Sequence, residues 1–228
     1  MEGIFSRAGV RRRAGERFTS APVGAHMIAV PWALCAVLLW LVLCALVDRR
    51  NARRENVPFV SFKELVVVLG VAAAGTLLAP APERLAVGIA LAGLGVAACG
   101  DLRHRYLWEE LSVPTLFLVL AAGALAGFAP SVIAGTAILG GIALAVYFGG
   151  QLAGKDPGFG DVIPTAIVGA ALGPIPALGA FAIACALFAL VALALGKRFG
   201  VALPFGPAIV GALLLGAAGS SLVVGAWR

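Results

Sequence analysis

The chain has 228 residues, 61% hydrophobic and 12% charged, with a formal net charge of +6. A soluble domain carries about 25% charged residues, so this composition excludes an ordinary water-soluble globule and makes lipid the expected solvent for most of the chain. The arginines stand in short clusters between apolar runs, which is the pattern that orients helices in a membrane rather than a nucleic-acid-binding face.

Residues 1–26 are polar and basic, with Arg7, Arg11, Arg12, Arg13 and Arg17, and show no periodicity; they are expected to form a disordered or surface-lying tail. Ile28–Val47 is the first apolar run, about 20 residues and long enough to span a bilayer. Its length and the following Asp48-Arg49-Arg50 argue against a cleaved signal peptide. A charged loop, Asp48–Lys63, leads to a second span, Leu65–Ala79, and Pro80-Ala81-Pro82-Glu83-Arg84 turns the chain because proline cannot continue a helix. Leu85–Cys99 is the third span and Asp101–Glu110 a short polar loop. Leu111–Phe128 and Ser131–Leu152 follow as spans four and five. After the loop Ala153–Gly160, span six starts near Asp161 and stops at Gly173-Pro174-Ile175-Pro176. Span seven is Ala177–Leu195 and span eight Phe205–Ala226.

The expected fold is therefore all-α: a polytopic integral membrane helical bundle of about eight transmembrane helices, with residues 27–228 embedded. The 30 glycines suit such a bundle, since small residues let helix backbones approach where lipid gives little drive for association. Positive charge concentrates in the loops 48–63, 101–110, 153–160 and 196–204, which places them on the cytoplasmic side. Parity then puts the N-terminus outside, against its five arginines; initiation at Met27 or a re-entrant first span would remove that conflict.

Cys35, Cys44, Cys99 and Cys185 all sit in apolar runs and form no C-x-x-C pair, so they read as inert thiols and not as metal ligands. No histidine cluster suits a metal hydrolase, no serine or cysteine has a triad around it, and no cofactor is expected. Tyr106 and Trp108 fit an interfacial aromatic belt. The chemistry that stands out is acidic. Asp101 follows span three and Asp161 opens span six, and an ionisable group at a membrane boundary needs a partner or a function. Taken singly, Asp101 reads as a helix-end residue paired with Arg103 or Arg105, and Asp161 as the N-cap of span six. Taken together they form an aspartic dyad, in which two like charges share one proton and can act as base and acid in peptide hydrolysis. Asp156, beside Lys155 and Pro157, reads as a turn residue.

Three motifs carry a resemblance. The stretch from Asp101 through Arg103-His104-Arg105-Tyr106-Leu107-Trp108-Glu109-Glu110 to Pro114 resembles the first aspartate motif of the type IV prepilin peptidases. Gly158-Phe159-Gly160-Asp161-Val162 is similar to their G-x-G-D motif, and Pro204-Phe205-Gly206-Pro207 to their C-terminal turn; order and spacing agree. The resemblance covers roughly residues 85–215. It implies a membrane aspartic endopeptidase with Asp101 and Asp161 as catalytic acids. Its substrate would be a prepilin-like or pseudopilin-like protein, whose leader is cut at the cytoplasmic face of the inner membrane. Family members usually have proline at the position of Trp108, asparagine or aspartate at Glu109, and lysine at Ile163. The loop with two C-x-x-C pairs that accompanies their N-methyltransferase activity is absent from this sequence, which leaves that activity without its loop. Gly158 and Gly160 are expected to make room for the substrate strand, and Glu109 and Glu110 to attract a basic leader. The competing reading is a non-catalytic membrane protein, a small transporter or an assembly partner, in which intramembrane acids mark an ion pathway.

Overall fold

A computed structural model describes residues 23–104, 109–154, 158–194 and 204–226. Most of the basic tail, Arg105–Trp108, the Lys155-Asp156-Pro157 turn and most of the loop after span seven lie outside the described residues. The described chain is helical, with no strand among the described residues. In order the helices are α1 (Val23–Arg54), α2 (Phe62–Leu78), α3 (Arg84–His104), α4 (Glu109–Leu125), α5 (Ala129–Leu152), α6 (Val162–Leu172), α7 (Pro174–Ala194) and α8 (Gly206–Ala226). A single 3-10 turn, Phe159–Asp161, precedes α6.

Three of these helices contain segments long and apolar enough to cross a membrane: Val30–Arg54, Arg84–Arg103 and Ala129–Leu152. The helix α6 has 11 residues, about 16 Å at 1.5 Å per residue, and is too short for a hydrocarbon core about 30 Å thick. Two kinds of helix make up the bundle. In α3 and α6 nearly every side chain is buried, whereas α1 and α5 turn large apolar residues outward, among them Trp32, Leu39, Ile133 and Val146. A helix that is apolar all round belongs in a core, and here two such helices form the centre while the outer ones present an apolar exterior.

Close approach fixes how α6 lies against α5. A Cβ on Gly169 would fall 2.1 Å from the carbonyl oxygen of Gly135, and one on Gly135 would fall 2.0 Å from that of Gly169. Backbone touches backbone there, so any side chain at either position would push the helices apart. One turn nearer the site, Gly140 faces Ala166, and at the far end Gly173, with φ of +73°, turns the chain into α7 beside Ser131. Pro174 then starts α7 instead of merely ending span six, because proline at the first helical position gives up no intrahelical hydrogen bond.

Several helices run further than their apolar stretches. α1 begins at Val23 and continues through Asp48 to Arg54, where Arg53 and Arg54 complement the negative end of the helix dipole. Asp48, expected in a loop, is only 3% exposed and accepts the Val60 backbone N–H at 2.7 Å, which pins the α1–α2 connection against the helix. That connection ends in a capping box, in which Ser61 and Glu64 satisfy each other's backbone donors at the start of α2. α3 likewise carries on beyond Cys99 to His104, so Asp101 is a helical residue and not the first residue of a loop.

Candidate active site

Asp101 sits in the last turn of α3 and is only 6% exposed. Burying a carboxylate requires hydrogen-bond donors. The donor here comes from across the bundle: the Gly206 backbone N–H, at the first residue of α8, donates to Asp101 Oδ2 at 2.6 Å. The Phe205 backbone also faces this carboxylate. Gly206 is required at that point, since an added Cβ would lie 2.8 Å from Ala98 Cα and 3.1 Å from Asp101 Oδ2. Phe205 anchors the turn by packing edge-on against Phe181 and Phe188, with ring centroids 6.0 and 5.6 Å apart. The Pro204-Phe205-Gly206-Pro207 segment, locally only a stiff turn, thus touches Asp101 directly.

The ion pair expected for Asp101 is not made with Arg103. That arginine pairs with Glu64 and also donates to the Phe59 carbonyl, which ties the end of α3 to the start of α2. Arg105 lies outside the described residues.

Asp161 closes the 3-10 turn and occupies the N-cap position of α6, yet its side chain makes no capping hydrogen bond. Thr165 Oγ1 donates to the Asp161 backbone carbonyl at 2.7 Å, which leaves the Asp161 carboxylate uninvolved in the first turn of α6. Asp161 lies outside the three helices long enough to cross a membrane. Its carboxyl is pushed up to about 6, first by burial and then by the nearby negative charge of Asp101. The two aspartates, one at the end of α3 and one at the start of α6, are therefore brought close enough for one charge to act on the other.

Of the other residues singled out in the sequence, Gly158 is exposed at the start of the 3-10 turn, and a Cβ there would meet nothing within 4 Å. The fold does not demand glycine at 158, which leaves the surface beside Asp161 open. Gly160 is half-buried within the same turn. Glu109 and Glu110 are exposed in the first turn of α4, where acids complement the positive end of the helix dipole.

Sequence reasoning passed over three buried polar groups. Asp48 reads as a loop charge because hydropathy ends at Val47. One turn further along α1, Asn51 is 5% exposed, and its Nδ2 has no partner among the described residues. Ser112, near the start of α4, has a buried Oγ in the same condition. Polar residues flanking apolar runs carry no local signal that separates such buried groups from solvated ones. No group of three or more histidine, cysteine, aspartate or glutamate side chains among the described residues is arranged to hold a metal ion.

No family model, curated protein or solved structure matches this chain. The arrangement is read on its own chemistry: two carboxyl groups on converging helix ends, one of them holding a backbone donor and the other sharing its field. Such a pair can hold one proton between two acids and can exchange it with a bound water.

Proposed function

We propose that this protein is an aspartic endopeptidase of the membrane, with Asp101 and Asp161 as its catalytic pair. The observation that carries the reading is the convergence of these two aspartates, neither of which is used by its own helix. A carboxylate at a helix N-terminus normally caps it, and Asp161 does not. A carboxylate in the last turn of a helix opposes the dipole, and Asp101 is held there by a donor from another helix.

In this reading the helices form a polytopic bundle whose outward apolar faces meet lipid and whose cytoplasmic end holds the dyad. Asp161, with its raised pKa, carries the shared proton. Asp101 acts as the base: the Gly206 N–H fixes Oδ2 and leaves Oδ1 to take a proton from water. That water attacks the peptide carbonyl while Asp161 protonates the carbonyl oxygen; as the C–N bond breaks, the proton on Asp101 passes to the leaving amine and a hydroxyl of the tetrahedral intermediate returns its proton to Asp161. The three motifs that resemble the prepilin peptidases suggest the substrate, a prepilin-like or pseudopilin-like protein with a basic leader ahead of an apolar helix.

The test is co-expression with such a substrate, following leader removal by the shift in substrate mass. Asp101→Asn and Asp161→Asn, each alone, should abolish cleavage at unchanged membrane levels, because one carboxyl cannot be acid and base together. Cleavage that survives either change would refute the assignment.

A further inference from the structure

A groove opens on the outer face of the bundle. The groove between α1 and α2 encloses about 470 Å³ and is walled by apolar side chains, including Val42, Ala45 and Leu46 from α1 and Phe62, Leu65 and Val66 from α2. Val42, Leu46, Phe62 and Val66 are all exposed along it, so it opens outward and not into the core. Its volume is in the range that holds a ligand. At one end the groove runs into a second cavity of about 530 Å³ lined by Leu46, Arg49, Arg50 and Arg53.

The two cavities are one feature of the helix period. Positions 42, 45, 46, 49, 50 and 53 share one face of α1, so a single stripe changes from apolar to basic along its length. Arg49 belongs to both cavities and stands over the Phe59 ring, 5.4 Å from its centroid, which holds the guanidinium at the mouth of the apolar groove. None of the three arginines has a carboxylate partner among the described residues, where the ion pair is that of Arg103 with Glu64. A basic leader peptide would be repelled from this cavity, and a neutral apolar helix would leave its charge uncompensated.

We propose that this paired cavity binds one anionic phospholipid, with an acyl chain in the α1–α2 groove and the phosphate on Arg49, Arg50 and Arg53. Guanidinium groups suit phosphate because their planar forks donate two parallel hydrogen bonds. The groove selects a long-chain lipid over a free phosphate, and the arginines select an anionic headgroup over a zwitterionic one.

The inference rests on the membrane placement proposed above and not on the peptidase reading. Resistance of the full chain to alkaline extraction from membranes reports that placement, whereas lipid retention reports this site, so the two can fail separately. The purified full chain in detergent is titrated with dioleoyl phosphatidylglycerol or dioleoyl phosphatidylcholine, and bound lipid is counted by native mass spectrometry. The expected result is one phosphatidylglycerol per chain, held at least tenfold more tightly than phosphatidylcholine. The triple change Arg49→Gln, Arg50→Gln, Arg53→Gln should bring that ratio close to one. Val42→Trp fills the groove from an exposed position but keeps every arginine, and should weaken phosphatidylglycerol at least tenfold without altering the melting temperature. Equal binding of the two lipids by the unaltered chain, or a preference that survives the triple change, overturns the proposal. Displacement of the lipid by glycerol 3-phosphate at matched concentration also overturns it, because the site would then recognise an anion alone.

Discussion

Gly206→Ala tests the link between the α8 turn and the dyad. The added methyl would sit 2.8 Å from Ala98 Cα and 3.1 Å from Ala98 Cβ, whereas carbon atoms pack at about 3.5–4.0 Å. Ala98 is part of the buried α3 backbone and cannot swing aside, so the start of α8 must retreat by roughly 0.7–1 Å to restore contact distance. The hydrogen bond from Gly206 N–H to Asp101, 2.6 Å long, would stretch beyond about 3.2 Å and be lost. A hydrogen bond to a charged group contributes about 1.5–3 kcal/mol, and 1.4 kcal/mol is a factor of ten, so leader cleavage should fall roughly ten- to hundredfold. The assay is the initial rate of cleavage in membranes together with thermal unfolding of the purified protein. Gly211→Ala is the control: it lies on the same helix, and a Cβ there meets nothing within 4 Å. If Gly206→Ala cleaves and melts like the unaltered protein, the contact between α8 and Asp101 has no part in the site.

Three further outcomes follow from the geometry. Burial and then the Asp101 charge push the Asp161 carboxyl up to about 6 from an ordinary 3.8, so its ionised form opposes folding as pH rises from about 4 through 6. Asp161→Asn should therefore raise the melting temperature at pH 8, by the equivalent of at most about 3 kcal/mol, with the gain vanishing below pH ~4. For the same reason kcat/KM should decline above pH ~6 as the shared proton is lost, and a flat profile from pH 5 to 9 would contradict the dyad. Gly169→Leu should separate α6 from α5, destabilise the chain by about 1–3 kcal/mol or more and reduce cleavage with it, since the Gly135 carbonyl cannot yield. Reversing Glu109 and Glu110 to lysine should raise KM for a basic leader and leave kcat near its original value; an unchanged KM at low salt would make them merely solvated acids.

The helices were legible because their apolar runs are long, and the two aspartates drew notice because three motifs occur in order. What hydropathy marks, however, is where the side chains stop being apolar, and the backbone hydrogen bonding can continue beyond that point. α3 passes Cys99 because Asp101 and Arg103 find their partners in Gly206 and Glu64, which lie far away in sequence. α1 passes Val47 because Asp48 is satisfied by Val60. The Gly135–Gly169 contact was hidden for another reason: among 30 glycines, nothing local distinguishes those where backbones touch from Gly141 or Gly179, beside which a Cβ would meet open space. The Pro204–Pro207 turn was visible, but its contact with Asp101 depends on how α8 packs against α3.

The shortness of α6 leaves α5 standing above the site as a rim. The helices α5 and α6 run antiparallel with Gly135 beside Gly169 and Gly140 beside Ala166, a register that sets Asp161 level with about Leu144. α5 continues to Leu152, so it rises above the aspartate by roughly eight residues, or about 12 Å. Tyr147, Phe148 and Phe159 stack edge-on along this parapet, with neighbouring centroids 5.4 and 5.3 Å apart. Under the peptidase reading proposed above, a peptide reaching Asp161 would come to rest against this aromatic wall.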